Sequence, residues 1–387
     1  MSRKLIEKGH SVTMVCLSRK DGNTGLNQPF VKGRREGIVD GILVIEIELL
    51  YSNYQNLIRR AWVFLKFAFL NIKIVFTEEY DVIFATSTPL TAGIPGIVAK
   101  IFRRKPFVFE VRDLWPELPK SMGIIRNPLV LFSMSILEWL SYHCADKVIA
   151  LAPGIVDGIV RRGISQTRVT LIPNGSDLEL FSEKRIPKKI PGIQKGDFVA
   201  IFTGAHGIAN GLYALIDVAR ELKNNNIENI KLLLIGDGKE KPGLMRTANE
   251  LKLDNIIFKD PIPKSKMPEL LNMVDTGMMI LDNIPAFYNG TSPNKFFDYI
   301  AAGLPVINNY PGWLAELIKE FRCGFPTEPG NPGLFVEKLV LMEGDKDLVA
   351  EMRKNSRKLA VEKFDRNIQA VSFIDCLESV GKHGVAE

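Results

Sequence analysis

"DFVAIFTGAHGIANGLYALIDVARELKN", residues Asp197 to Asn224, holds a complete structural signal. The apolar run Phe198 to Phe202 ends at Gly204, and Gly207 and Gly211 follow. Apolar residues then recur at helical spacing through "GLYALIDVARELKN". A strand, a glycine turn and an amphipathic helix in that order open a βαβ unit, which calls for a parallel sheet with helices on both faces. "IKLLLIGDG", "NIIFKD", "TGMMIL" and "LPVINN" continue the rhythm downstream. Upstream, "SVTMVCL", "YDVIFAT", "KPFVFEV", "DKVIALA" and "RVTLIPN" form an earlier series of the same kind.

Between the two series lies "SEKRIPKKIPGIQKGD", Ser182 to Asp197, rich in Lys and Pro and without periodicity. At 387 residues the chain is too long for one ordinary core. The sequence therefore predicts an α/β protein of two doubly wound, Rossmann-like domains. These are an N-terminal domain (1–182), a linker (183–196) and a C-terminal domain (197–365), with a last helix (366–387) packing back toward the first domain. Such sheets bind ligands at the carboxyl ends of their strands, so the functional residues are expected in strand-to-helix loops facing an interdomain cleft. The chain opens on "LIEKGHSV", which reads as the end of a first helix entering a second strand. A first strand and its Gly-rich loop are expected before it, their absence reflecting a truncated start.

The composition, 46% hydrophobic and 24% charged, is that of a soluble globular protein. A net charge of +6 favours anionic surfaces or phosphates and names no partner. Four scattered cysteines form no CxxC or Cys/His cluster, which points to a reducing cytoplasm rather than a disulfide framework or zinc site. The N-terminus has no apolar core of a signal peptide. "AWVFLKFAFLNIKIVF", Ala61 to Phe76, is too short and too charged to span a bilayer. It is either a largely buried helix or a basic, aromatic helix on a membrane surface, with Arg59 and Arg60 preceding Trp62.

Several strand ends carry chemistry. The turn of Gly204, His206 and Gly207 brings backbone close to a ligand at a helix N-terminus, a phosphate position, although it matches neither the Walker pattern nor GxGxxG. "NGTSPNKFFDY" places the donors of Thr291, Ser292 and Asn294 and the cation of Lys295 at another helix start. Asp298, one turn inside, is suited to hydroxyls such as those of ribose. The two loops together indicate a nucleoside diphosphate. "FEVRDLWPE" ends a strand of the first domain with Arg112 and Asp113, a cation and a carboxylate for the reacting centre, or an ordinary structural pair. Thr88 of "TSTPLTAG" lines the acceptor side. Asn174 of "IPNGSD", at another strand end, is expected on the same acceptor side, although turn chemistry alone also explains it. His143 at a helix end reads as a cap or packing residue. No His/Asp/Glu spacing suggests a metal, and no Ser-His-Asp arrangement is present.

In this order "GHSVTMV", "IPNGSDLELF", the glycine loop, "LLLIGDGKEKPGL", "NIIFKDPIPKSKMPELLNMVD" and "NKFFDYIAAGLPVI" resemble the GT4 family of retaining glycosyltransferases with the GT-B fold. "VRDLWPE" with "GTSPNKFFDYIAAG" looks most like the bacterial branch of N-acetyl-L-fucosamine transferases of surface-polysaccharide assembly. The resemblance implies a nucleotide-sugar donor on the second domain. Pro261 and Ile262 would flank the base, Asp298 would take the ribose, and Thr291 to Lys295 the diphosphate. No metal or other cofactor is implied, because helix N-termini and Lys295 carry the leaving-group charge. The acceptor would be a glycan or polyprenyl-linked sugar, which favours a peripheral enzyme on the inner face of the cell membrane. No nucleic-acid partner is implied. The usual E-x7-E pair falls on Gly290 and Asp298, the usual Arg and Lys of the glycine loop on Ala205 and Asn210, and a frequent His on Arg112. A sugar-nucleotide 2-epimerase of the same fold, or an inactive truncated binder, are the alternatives.

Overall fold

The computed structural model describes residues 1–19, 24–52, 55–182 and 190–381. Its contacts divide the chain into two units. One is Met1–Ile172 with the segment from Ala370 onward, and the other is Pro173–Gln369.

In the first unit the strands are β1 (Thr13–Arg19), β2 (Arg34–Val39), β3 (Ile42–Tyr51), β4 (Ile83–Thr86), β5 (Phe107–Val111), β6 (Lys147–Ala150) and β7 (Val169–Leu171). The helices are α1 (Ser2–Glu7), α2 (Leu57–Thr77), α3 (Gly93–Arg103), α4 (Glu117–Ser121), α5 (Pro128–Cys144) and α6 (Pro153–Arg161). β4 to β7 form a parallel sheet in sequence order. β5 and β6 are its apolar centre, with Phe107, Val108, Phe109, Val148 and Ile149 all fully buried. A separate sheet has the order β1-β3-β2, with β1 parallel and β2 antiparallel to β3. β1 and β4 are thus end strands of two sheets, and none of residues 13–18 or 83–86 is fully buried.

The second unit has β8 (Phe198–Thr203), β9 (Ile230–Ile235), β10 (Ile256–Lys259), β11 (Thr276–Met279), β12 (Val306–Asn308) and β13 (Gly324–Pro326). Its helices are α7 (Tyr213–Asn224), α8 (Lys241–Glu250), α9 (Met267–Leu271), α10 (Pro285–Gly290), α11 (Asn294–Ala301), α12 (Trp313–Glu320), α13 (Pro332–Gly344) and α14 (Lys346–Lys363). A last helix, α15 (Arg366–Gly381), groups with the first unit from Ala370 onward. The sheet order is β10-β9-β8-β11-β12-β13, all parallel. Every residue of β8, β11 and β12 is buried, as strands covered by helices on both faces require. The chain runs outward from β8 through β10 and then returns to β11 on the other side of β8. That reversal opens a crevice at the carboxyl ends of β8 and β11, where doubly wound sheets take their ligands.

The division between units falls at Ile172/Pro173, ahead of the expected linker. Ile172 N–H still donates to Ala150 O of the first unit. From Asn174 on, the chain bonds within the second: Ser176 N–H donates to Phe364 O at 2.6 Å, and Asp177 accepts from Arg366 at 2.7 Å. Residues 183–189 of the expected linker lie outside the described residues. The rest packs within the second unit, where Gly192 lies against the Ile257 side chain.

Candidate functional site

The site of the second unit is built on α11. Phe296, Phe297, Tyr299 and Ile300 are fully buried and fasten the helix to the sheet. The Tyr299 hydroxyl accepts from Thr203 N–H at the end of β8, 2.8 Å away. Lys295 and Asp298, on the remaining face, are thereby held beside the crevice. The N-terminus of α11 has no side-chain cap, and although Phe296 N–H donates to Pro293 O, the amides of Asn294 and Lys295 keep their donor capacity.

Lys295 Nζ donates to Asn210 Oδ1 at 2.7 Å and lies 4.0 Å from the centre of the Phe202 ring. Nζ also stands 3.4 Å from where a Cβ would be on Gly204, whose φ of +138° already favours glycine. Among the described residues no carboxylate pairs with this lysine. Burial pushes its pKa down to about 7. A cation so placed, between a glycine loop and an uncapped helix start, lacks an anion.

The glycine loop is fixed from several directions. Asn210 Nδ2 donates to Ala205 O, His206 N–H to Asp237 O, and Glu240 N–H to His206 O. The His206 ring is fully buried near Phe202 and Phe258. Burial and the nearby Lys241 charge push its pKa down to about 4, so it is neutral at physiological pH. In this structure the imidazole presents no open edge to a phosphate, contrary to the sequence expectation for His206. The ring lies against Phe202 and Phe258, and among the described residues neither ring nitrogen has a hydrogen-bond partner. Gly207 has open space on its side-chain side.

The loop ahead of α11 is equally held. Thr291 O accepts from Trp313 Nε1, Asn289 Oδ1 from Trp313 N–H, and Thr291 Oγ1 donates to Phe287 O. Asn174 was expected on the acceptor side. Instead its N–H donates to Ser292 Oγ at 3.1 Å and its side chain to Ser292 O at 2.5 Å, inside the second unit. Asn294 is the exposed first residue of α11, and Pro261 and Ile262 form the loop after β10. Asp298 is buried and accepts from Lys264, while burial raises its pKa.

Two lysines escaped the sequence reading. Lys264 reaches Asp298, and Lys241 donates to Gly236 O, Lys259 O and Asp260 Oδ1 at 2.9–3.0 Å. Lys241 opens α8 and Lys264 follows β10, and only their positions after strand ends signal them. An open cavity of about 510 Å³ borders Lys241, Arg246 and Asp260 but not Lys295.

The first unit has its own polar edge at the carboxyl ends of β4 and β5. Thr86 Oγ1 donates to Glu110 Oε1, Ser87 Oγ accepts from Arg112 N–H, and Thr88 Oγ1 donates to Asp113 at 3.1 Å. Burial raises the Asp113 pKa. Arg112 lies 4.0 Å from Glu110 and is half-buried. Thr88 sits at φ +88°, a strained position for a β-branched residue and of a kind that gathers at functional sites. His143 lies in the last turn of α5, its Nδ1 2.9 Å from Trp139 O and its ring stacked on Trp139, as a packing role requires. Among the described residues no group of His, Cys, Asp and Glu could hold a metal ion.

Both halves of the chain match family models of known proteins. The model for glycosyltransferase family 4 matches residues 1–180, and that for glycosyl transferases group 1 matches residues 183–359. A Bacillus subtilis (strain 168) protein named as a candidate teichuronic acid biosynthesis glycosyltransferase, TuaH, is 25% identical over 275 residues, which are 68% of this chain. The chain spans 65% of that relative's length. Among solved structures, sucrose-phosphate synthase from Thermosynechococcus elongatus superposes with a TM-score of 0.76 at 16% identity, covering 98% of this chain and 92% of that one. The Anabaena protein HepE, solved in complex with UDP-glucose, gives 0.66 at 20% identity over 88% and 87%. The lipopolysaccharide outer core galactosyltransferase WaaB gives 0.55 at 15% over 87% and 84%. The chain is therefore a glycosyltransferase of the GT4 type with the GT-B fold.

Proposed function

We propose that the chain moves a sugar from a UDP-linked donor, held at the β8/β11 crevice, to a glycan or lipid-linked acceptor in surface-polysaccharide assembly. The observation that carries the donor reading is Lys295, an ammonium with no carboxylate partner among the described residues, beside the Gly204 loop and the start of α11. HepE's complex with UDP-glucose supports UDP, and the TuaH likeness supports a cell-surface polymer. An N-acetylated deoxy-hexosamine of the fucosamine type is the sugar suggested by the motif branch.

In this reading Lys295 and the first amides of α11 and of the Thr291–Ser292 loop take the diphosphate. Asp298 takes the ribose hydroxyls, and Pro261 and Ile262 the base. As the bond from the sugar's anomeric carbon to the diphosphate breaks, negative charge gathers on the departing oxygen. Lys295 stabilises that charge without a metal. An acceptor hydroxyl attacks from the same face with retention, through an oxocarbenium-like transition state, and its proton passes to the departing phosphate. Thr88, Arg112 and Asp113 at the β4/β5 edge are the acceptor-side and reacting-centre groups. Association with the inner face of a cell membrane belongs to the same reading, because α2 exposes basic and aromatic residues.

The test is thermal unfolding with UDP, GDP and ADP. At a concentration of about one hundred times Kd, UDP should raise Tm by roughly 5–10 °C. Asp298→Ala should lose most of that shift. No shift with any of the three nucleotides would end the donor reading.

A further inference from the structure

The first unit leaves one helical layer apolar on the outside. α3 packs against both α2 and α5, so the three helices lie side by side. Their outward residues include Trp62 (66% exposed), Phe69 (63%), Phe102 (70%), Leu129 (74%) and Phe132 (67%). Trp139 on α5 is also exposed. Apolar exposure that is contiguous and aromatic-rich marks a docking surface rather than ordinary scatter.

The pattern along α2 identifies what docks. Trp62, Phe69 and Phe76 recur every seven residues, and Arg59, Lys66 and Lys73 recur every seven residues, each three positions earlier. All six are exposed. Seven residues are close to two helical turns, so the helix carries an aromatic row with a basic row beside it. α2 and α3 contain no acid. The one acid of α5, Glu138, is buried beside Arg162. Aromatic rings seat at headgroup depth, and a basic row without acids complements anionic headgroups. A second copy of the chain would set this basic row near its own repeat with no acid on the helix to pair it, which disfavours self-association.

We infer that the α2–α3–α5 face docks the chain on an anionic lipid bilayer. This deepens the membrane part of the reading above and rests on it, but not on the nucleotide, sugar or acceptor.

Vesicle sedimentation tests it independently of activity. The full chain is mixed with phosphatidylcholine vesicles, with or without about one-third phosphatidylglycerol, at low salt and at about 0.5 M NaCl. Binding should be at least about tenfold stronger with the anionic lipid, and should fall in high salt. Combined Arg59→Glu, Lys66→Glu and Lys73→Glu should weaken it at least about a hundredfold, at roughly fivefold per positive charge removed. Trp139→Ser, on a separate helix, should weaken binding at both salt concentrations. Circular dichroism and Tm establish that each variant is folded, and the salt response of the unaltered chain needs no variant. Equal binding to neutral vesicles, or anionic binding that ignores the charge reversal, would overturn the inference. So would a lipid-independent dimer that Trp62→Ser with Phe69→Ser converts to monomer, since the face would then belong to a second copy.

Discussion

Lys295→Met should lower UDP affinity by about thirty- to a hundredfold, the equivalent of roughly 2–3 kcal/mol for charge-assisted hydrogen bonds to a phosphate. Methionine keeps an unbranched side chain of similar bulk while removing the ammonium that lies over Phe202, so the loss reports charge rather than a cavity. The same substitution should leave the ligand-free protein as stable or more stable. A partly buried ammonium without a carboxylate costs the fold desolvation, and an apolar side chain does not. Calorimetry of UDP binding together with unfolding of the free protein checks both halves. If affinity and stability fall together, Lys295 is structural.

The lysine's titration adds a second signature. Its folded pKa, pushed down to about 7, lies below the ordinary 10.5 of the unfolded chain. Between pH 7 and 10 the unfolded chain therefore holds a proton that the folded, ligand-free protein has lost. Stability of the free protein should rise with pH across that window. Diphosphate binding favours the ammonium, so UDP affinity should run the other way, falling as pH rises above about 7. The opposed slopes are measured by unfolding and titration calorimetry in the same buffers, and both should vanish in Lys295→Met.

The second unit was more legible in sequence than the first. β8, β11 and β12 are short apolar runs ended by glycine or polar loops, and each became a strand because burial on both faces needs continuous apolar residues. β2 and β3 went unread, although "RREGIVDGILVIEIELLY" carries a hairpin signal in Asp40-Gly41. Both turn residues take positive φ, +51° and +79°. A reading set on parallel βαβ units passes over an antiparallel edge.

The site was legible where local chemistry decides and obscure where packing does. Lys295 and Asp298 follow from a polar run entering an apolar helix. His206 looked like a phosphate ligand because it sits among glycines, yet its ring turned inward, and residues distant in sequence, such as Phe258, set that direction. Asn174 follows β7 in sequence, so it was assigned to the same sheet edge. The chain changes units two residues earlier, which no local pattern announces. Lys241 and Lys264 resemble any surface lysine until the acceptors around them are placed.

Gly236→Ala should cost about 3 kcal/mol and lower Tm by roughly 6–12 °C. At φ +153° the residue occupies backbone space that L side chains rarely enter, and its Cβ would stand 1.8 Å from Gly204 O. That neighbour is backbone and cannot rotate away. It is also committed, since Gly204 N–H donates to Ile235 O and Gly236 N–H to Lys259 O. An alanine must therefore part the exits of β8 and β9, which carries the Gly204 loop away from Lys295 and Asn210. UDP affinity should fall along with stability, unlike the opposed effects at Lys295. Gly290→Ala is the control: a Cβ there meets nothing within 4 Å, so its change should stay within about 0.5 kcal/mol. Paired melting curves decide the matter. Equal Tm values for the two variants would mean that the Gly204–Gly236 contact is loose, and that the crevice is not held rigid by the crossing of these two strand ends.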